Sequence, residues 1–94
     1  LVRWPRRIRA GSRSDQVLAS IDWLPTLAAA AGAELDPEFP PDGEDLLPVL
    51  TGDVPLRPRR LHWRFAQRDQ AALRDGDWKY LRIDGEEQLF RLDA

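Results

Sequence analysis

The 94-residue chain contains no cysteine, no methionine and no asparagine. Without cysteine it can form no disulfide, offer no thiolate to zinc and use no cysteine nucleophile. No apolar run approaches the roughly 20 residues that span a bilayer, and no signal-peptide pattern opens the chain, so no membrane partner is expected. A chain of this length makes one small domain or a piece of a larger one. Because it begins at Leu1 inside an apparent strand and has no methionine, we expect a fragment or a processed piece.

Basic residues other than arginine are almost absent, since Lys79 is the only lysine and His62 the only histidine. The net charge of −2 predicts no general affinity for nucleic acid. Five arginines nevertheless precede the first acidic residue, Asp15: Arg3, Arg6, Arg7, Arg9 and Arg13. With Trp4 they could follow a phosphate backbone. The acidic remainder of the chain favours a solvated strand face instead, and no nucleic-acid partner is expected.

The first half of the chain carries a helical pattern after an opening strand that Pro5 ends. Apolar residues then recur at intervals of three and four, at Val17, Leu18, Ile21, Leu24, Leu27, Ala28 and Ala31. This spacing is typical of one face of an amphipathic helix. Pro25 fits only in the first turn after a cap at Ser20 or Asp22, and Gly32 is the expected stop. We therefore predict a helix over residues 22–31, preceded by a looser turn from residue 16.

A shorter helix and an antiparallel sheet are predicted downstream. The sequence after the Pro-rich loop 33–43 favours a second helix at residues 44–51, which Gly52 ends. Residues 60–93 alternate apolar and polar positions, with turns at 75–77 and 84–86 that each contain Asp-Gly. Alternation with Asp-Gly turns is typical of hairpins. The predicted fold class is therefore α+β, with helices followed by a four-stranded antiparallel sheet. Its predicted core comprises Ile21, Leu24, Leu27, Leu46, Leu50, Trp63, Trp78, Tyr80 and Leu89.

The chain offers few groups for catalysis. None of its serines, Ser12, Ser14 and Ser20, lies in a Gly-x-Ser-x-Gly elbow. His62, between Leu61 and Trp63, has two interpretations: a partly buried strand histidine with a structural hydrogen bond, which is the favoured one, or a side chain that lines a substrate pocket in a larger protein. We name His62 as the candidate substrate-binding residue and predict no catalytic residue.

Six carboxylates between Glu34 and Asp45 could suggest calcium. Their order does not fit an EF-hand loop, because prolines occupy positions where the backbone must turn sharply. A pair of them in glycosidase chemistry stays open, because sequence spacing does not fix their separation, although nothing favours it. A solvated loop is the favoured interpretation, and no metal ligand is predicted in this chain.

The amino-acid sequence resembles those of sulfatases of the arylsulfatase type, in the alkaline-phosphatase-like superfamily. Four segments occur in the family's order: a strand ending in Trp4-Pro5, then "SDQVLASIDWLPTLAAAAG", "DGEDLLPVLTGD" and "RDGDWKYLR" followed by "EEQLFRLDA". The resemblance covers essentially the entire chain. It implies that residues 1–52 are the C-terminal part of the sulfatase α/β domain, and residues 53–94 a linker and an antiparallel-sheet subdomain.

The same resemblance identifies what this chain does not carry. Sulfatases hydrolyse sulfate esters with a formylglycine made from a Cys/Ser-x-Pro-x-Arg motif, and none of the serines here has proline two positions later. The resemblance implies calcium and formylglycine in a full-length parent, with no cofactor in this piece. Lys79 belongs to the "GDWKY" strand and does not correspond to the family's sulfate-contacting lysine.

Three functions therefore stay open. The first is a sulfatase's C-terminal portion that completes the fold and one wall of the substrate pocket and is inactive alone. Its partner would be the N-terminal sulfatase domain, or a second copy in a homodimer, and the parent's substrate a sulfate ester. The second is a stand-alone protein-binding module that pairs through exposed strand edges. The third is a nucleic-acid binder that uses the basic segment, which would require a steep salt dependence.

Overall fold

The computed structural model describes residues 1–93 as two compact units, the first Leu1–Arg57 and the second from Pro58 onward. The first unit holds two helices, and the second holds a sheet. No helix within residues 1–93 combines the length and apolar character that a membrane crossing requires. The assignment of residues 1–52 and 53–94 to parts of a larger enzyme stays a prediction.

The second unit is a four-stranded antiparallel meander, as the alternating pattern predicted. Its strands, in spatial and chain order, are β1 Arg60–Phe65, β2 Gln70–Asp75, β3 Trp78–Ile83 and β4 Glu86–Arg91. The two predicted Asp-Gly turns connect β2 to β3 and β3 to β4. Asp84 and Gly85 have φ of +52° and +84°. Two successive positive φ values match the twist of a type I′ hairpin, which explains why Asp-Gly stands there.

The pairing register places different side chains on the two faces of the sheet. One row across the strands joins His62, Leu73, Tyr80 and Leu89, and the next joins Trp63, Ala72, Leu81 and Gln88. Because neighbouring residues of a strand point to opposite faces, the first row lies on a histidine face and the second on an apolar face. The apolar face also carries Leu61, Phe65, Ile83 and Phe90.

The first unit contains the predicted long helix. It forms α1, Trp23–Ala31, and follows a single 3₁₀ turn at Ser20–Asp22. Gly32 ends α1 in the left-handed region with φ +67°, and the Ala33 N–H donates to the Ala28 carbonyl at 2.9 Å. That geometry is the glycine stop expected from the sequence. Asp22 is the N-cap residue of α1, one of the two predicted positions, but its side chain makes no capping hydrogen bond to α1.

Two other predictions for this unit are corrected. The second helix, α2, covers only Leu47–Leu50 instead of residues 44–51. Its start is delayed because the N–H groups of Glu44 and Leu46 donate to side chains of Asp22 and Thr26, which holds residues 44–46 outside the helix. Residues 1–4 belong to no strand among the residues that the structure describes. An extended segment becomes a strand only with a partner strand beside it.

Most of the predicted core is not buried. Of the nine residues, Leu46 is fully buried, and Leu50 and Tyr80 are partly buried. The remaining six are exposed by between 47% and 64%: Ile21, Leu24, Leu27, Trp63, Trp78 and Leu89. The periodicity located the apolar stripe of α1 correctly, but no element of the first unit covers it. Buried positions on α1 are instead Pro25 and Thr26.

Candidate functional site

His62 lies at the centre of strand β1, on the histidine face of the sheet. Leu73, Tyr80 and Leu89 follow it across β2, β3 and β4. Arg60 and Arg64 are two residues away on the same strand and therefore share its face. All three of these β1 side chains are exposed. The structure thus places the one candidate site residue where a ligand or another part of a protein can reach it, beside two cations.

Ion pairs fix several charges around this face. The Arg60 guanidinium donates twice to one carboxylate oxygen of Asp75, at 2.8 and 2.6 Å. Arg82 donates to Asp69 at 2.8 Å. Side chains of both pairs are between 40% and 70% exposed. Pairs of this kind contribute only about 0–1 kcal/mol to stability, so their consequence here is the orientation of the arginines.

The histidine face also contains a phenol bound to a carboxylate. The Tyr80 hydroxyl donates to Glu87 Oε1 at 2.9 Å. This hydrogen bond, together with desolvation and the Glu87 charge, raises the pKa of Tyr80 above its ordinary value of 10.0, while Arg82 acts in the opposite direction. The bond favours the neutral phenol because only the protonated hydroxyl can donate. Tyr80 is the only tyrosine, so its ionisation can be followed directly.

We expect Glu87→Gln to move the pKa of Tyr80 down towards 10.0, because the amide oxygen is a weaker acceptor for the Tyr80 hydroxyl and carries no charge. The raised pKa means that the bond stabilises the fold below the ordinary tyrosine pKa, and that this contribution disappears as pH rises through the folded-state value. Ultraviolet absorbance of the phenolate across alkaline pH measures the shift. Glu86→Gln on the opposite face is the matched control and should leave the titration in place; an unchanged titration in Glu87→Gln would contradict the assignment.

In the first unit, Asp22 joins the start of α1 to a distant loop. The residue is 1% exposed. Oδ2 accepts the Ala19 N–H at 2.7 Å, and Oδ1 accepts the Glu44 N–H at 2.9 Å. A buried carboxylate that receives backbone N–H bonds forms strong, charge-assisted hydrogen bonds. The Asp that was expected to cap the helix is therefore a tertiary connector between residues 19 and 44.

Thr26 extends this connection by one helical turn. Its hydroxyl accepts the Leu46 N–H at 3.0 Å and donates to the Glu44 carbonyl at 3.4 Å. Between these anchors, Gly43 lies against the backbone of Ile21, and a Cβ built on Gly43 would come within 2.1 Å of the Ile21 carbonyl oxygen. We call Asp22, Thr26 and Gly43 the helix clamp. No signal in the sequence indicated the partners of Thr26 or the close approach at Gly43.

A second tertiary connection also carries no sequence signal. The Gln16 side chain belongs to a residue that is 8% exposed, and it pairs with the backbone of Arg57 in both directions. Oε1 accepts the Arg57 N–H at 2.8 Å, and Nε2 donates to the Arg57 carbonyl at 3.1 Å. The Arg57 guanidinium also donates to the Asp45 carbonyl. These contacts hold the extended segment that precedes Pro58 against the start of the first unit.

Groups that could perform chemistry are otherwise occupied in local turns. The Ser12 hydroxyl donates to the Arg9 carbonyl at 2.7 Å, and the Ser14 hydroxyl accepts the Gln16 N–H at 3.3 Å. In the acidic segment, Asp36 accepts the Glu38 N–H and Asp45 accepts the Leu47 N–H. Residues 1–93 contain no group of three or more His, Cys, Asp or Glu side chains arranged to hold a metal ion. The described residues form a scaffold and a polar sheet face.

Comparison with known proteins finds similarity to sulfatases. The chain is 39% identical to arylsulfatase A of Bos taurus over 83 residues, which cover 84% of this chain and 16% of that protein. It is 44% identical to steryl-sulfatase of Homo sapiens over 52 residues, 55% of this chain and 9% of that protein. Arylsulfatase A of Homo sapiens is 48% identical over 52 residues. No family model matches the chain. The chain thus spans between 9% and 16% of the length of these relatives.

Proposed function

Because this chain belongs to the sulfatases, we propose that it is the C-terminal portion of a sulfuric ester hydrolase of the arylsulfatase type. In this proposal it completes the enzyme's fold and one wall of the substrate pocket, and it is inactive alone. The observation that carries the proposal is the identity to arylsulfatase A over 84% of the chain. The aligned segment of 83 residues is longer than either compact unit, so it must include residues of both.

The catalytic groups of such an enzyme would lie in a preceding part of the polypeptide. Sulfate ester hydrolysis needs a strong nucleophile and stabilisation of the negative charge that develops on the sulfate oxygens. This chain has no cysteine and no serine followed by proline two positions later. Residues 1–93 do not fit a calcium site, because their carboxylates form no ligand group. Calcium and formylglycine would therefore belong to that preceding part.

The apolar stripe of α1 supports docking to an N-terminal sulfatase domain. Leu24 and Leu27, three residues apart on α1, are each 60% exposed, and Ile21 in the preceding 3₁₀ turn is 47% exposed. The opposite side of α1 is already in contact with the loop at residues 43–46, through the hydrogen bonds of the helix clamp. An exposed apolar stripe usually marks a surface that another protein surface covers. Since the relatives are several times longer than the matched segment, the remainder of the same enzyme is the partner that we propose. In isolated chains, a second copy would cover the stripe in a homodimer.

His62 is proposed as the residue that this portion contributes to the pocket wall. It is exposed on β1, and Arg60 and Arg64 lie on the same face. A histidine ring can donate a hydrogen bond to an oxyanion, and arginines bind oxyanions through planar, paired donors. The proposed role is substrate contact. The strands of the sheet carry no serine that could pair with His62 as a nucleophile, because all three serines precede the sheet in the chain.

The isolated chain is expected to show no turnover of a chromogenic aryl sulfate in the presence of calcium. The polypeptide encoded by the reading frame that continues upstream of Leu1 is expected to carry a Cys/Ser-x-Pro-x-Arg motif and to hydrolyse the same substrate. In that longer polypeptide, His62→Ala should raise KM by roughly tenfold if it removes a substrate contact, because substrate binding then weakens. An upstream frame without the motif, or turnover by the isolated chain that His62→Ala abolishes, would refute the proposal.

A double substitution in the stripe separates docking from folding. Leu24→Asp with Leu27→Asp should leave the helix content of the isolated chain unchanged, because both side chains are exposed there. The same pair should abolish activity and soluble expression of the longer polypeptide, since two carboxylates would be buried without partners. Light scattering of the isolated chain should report a monomer for the variant and self-association for the original. Equal tolerance of the pair in both proteins would argue against the proposed interface.

A stand-alone binding module is the second candidate function. The observation in its favour is that β1 and β4 are edge strands of the described sheet, with exposed residues along both. Edge strands can add a strand from another chain. Charged residues on β4, such as Glu86 and Arg91, are the kind that oppose such pairing. The reading-frame test above also discriminates this candidate, because a binding module needs no upstream sulfatase motif.

A further inference from the structure

The arginine-rich segment near the start of the chain folds into two consecutive turns. The Arg7 and Ile8 N–H groups both donate to the Trp4 carbonyl, at 2.9 and 2.8 Å. The Ser12 hydroxyl and N–H close the next turn on the Arg9 carbonyl, at 2.7 and 3.2 Å. Gly11 permits this turn with φ +72°. We call residues 3–13 the basic turn segment; local hydrogen bonds to the carbonyls of Trp4 and Arg9 close both of its turns.

The guanidinium groups of this segment are exposed and largely uncompensated. All five arginines are exposed, and the first acidic residue of the chain is Asp15. Arg7 lies 5.6 Å from the Trp4 ring centroid and 3.7 Å from an Asp53 oxygen. Arg6, Arg9 and Arg13 form no ion pair with any residue that the structure describes. The local charge is thus strongly positive, although the chain as a whole carries −2.

A cavity of about 630 Å³ adjoins the same segment. Trp4, Ile8 and Leu18 form part of its apolar lining, and Arg9 and Arg13 also line it. Binding cavities of a few hundred Å³ usually combine an apolar lining with a few polar groups that fix orientation. This cavity can accept the ring of a ligand whose anionic substituents reach the arginines.

We propose that the basic turn segment is a binding site for a sulfated polysaccharide. Arginine binds sulfate-type oxyanions through two parallel N–H donors, which makes the pairing both strong and directional. Several cations within 11 residues favour a ligand that presents several anions on one chain, because each further contact is then intramolecular. The choice of sulfate rests on the proposed function, since a sulfatase encounters sulfated substrates.

Nucleic acid is the less favoured polyanion for this surface. Single-stranded nucleic acids bind through successive aromatic rings that stack on bases. The basic turn segment contains one ring, Trp4, and Arg7 already lies over it. A sulfated sugar chain needs the arginines and an apolar surface, and no row of rings.

Binding of dextran sulfate to the 94-residue chain, followed by fluorescence anisotropy or calorimetry, tests the proposal. Affinity should fall steeply as salt rises from about 50 to 200 mM, with a log–log slope close to the number of arginine contacts. Arg9→Gln with Arg13→Gln should weaken binding about ten- to hundredfold at low salt and reduce that slope by about 2. A second double variant, Arg6→Gln with Arg13→Gln, should show a similar loss of affinity for dextran sulfate, so the test does not depend on the folding of one variant.

The matched control is Arg68→Gln with Arg74→Gln, which removes the same charge from two arginines of the second unit that lie outside the histidine face. This variant should bind like the original, and uncharged dextran should not bind. Equal losses in control and test variants, or no binding of dextran sulfate by the original chain, would overturn the proposal. Equal affinity for a single-stranded oligonucleotide with the same arginine dependence would overturn the assignment to sulfated sugars. The assay requires no turnover, so its failure is distinct from a failure of the proposed sulfatase function.

Discussion

Gly43→Ala is expected to destabilise the first unit by about 3 kcal/mol or more, at the upper end of overpacking effects. The added methyl group would lie 2.1 Å from the Ile21 carbonyl oxygen and 2.7 Å from the Asp22 nitrogen. Both are backbone atoms of the turn that precedes α1, so neither can rotate away as a side chain can. The loop must move outward, and this movement breaks the hydrogen bond from the Glu44 N–H to Asp22.

Gly52→Ala is the informative control for this prediction. Gly52 has φ +82°, and no atom lies within 4 Å of the position that a Cβ would take, so only its backbone conformation opposes a side chain. Its substitution should cost about 1 kcal/mol. Urea unfolding followed by far-ultraviolet circular dichroism measures both variants. If Gly43→Ala proved no more destabilising than Gly52→Ala, the close approach of the loop to Ile21 would be disproved.

Asp22→Ala is expected to destabilise the first unit by about 2–4 kcal/mol, since it removes a buried carboxylate and leaves two partly buried N–H groups without their acceptor. Those groups belong to Ala19 and Glu44, which Asp22 joins at 2.7 and 2.9 Å. Domains have a total stability of only about 5–15 kcal/mol, so this loss is a large fraction of it. Asp22→Asn keeps one amide oxygen as acceptor and should lose about half as much.

Hydrogen exchange gives a direct readout of the Asp22 contact. The Glu44 amide should be protected in the original chain and should exchange much faster in Asp22→Ala, because its hydrogen bond is the one removed. Asp42→Ala, an exposed carboxylate in the same loop, removes an equal charge and should leave Glu44 protected. Protection of Glu44 that survives in Asp22→Ala would show that another acceptor holds this amide.

Local signals in the sequence were sufficient for the sheet and for the end of α1. The Asp-Gly pairs at 75–76 and 84–85 predicted two of its turns, and alternation predicted the strands between them. These features depend only on residues close together in the chain. Glycine is favoured wherever φ is positive, and the side chains of a strand alternate between its two faces whatever packs against them. Gly32 at the end of α1 is predictable for the same reason.

The core could not be predicted in the same way. Ile21, Leu24 and Leu27 form the stripe that periodicity identifies, yet they are exposed and the polar Thr26 is buried. Periodicity finds which residues share a face, while burial depends on what packs against that face. Within the first unit, the loop at 43–46 packs on the polar side of α1 because Asp22 and Thr26 can bond its N–H groups.

The candidate site shows the same division. Sequence reasoning placed His62 in an alternating strand, and the structure places it exposed at the centre of β1; its substrate role stays a prediction. The two-way bond between Gln16 and Arg57 was invisible because the residues are 41 positions apart. Sequence position carries no information on which distant backbone groups a buried amide will satisfy.

By itself, the sequence determined the antiparallel meander, the Asp-Gly turns and the glycine stop of α1, because each follows from local conformational preference. Its motifs also identified the relationship to sulfatases. Only the tertiary structure decided that α1 buries Thr26 and exposes its apolar stripe, that α2 is a single turn, and that Gly43 has no room for a side chain. Those outcomes depend on contacts between residues distant in the chain, where packing space and backbone hydrogen bonds outweigh local preference.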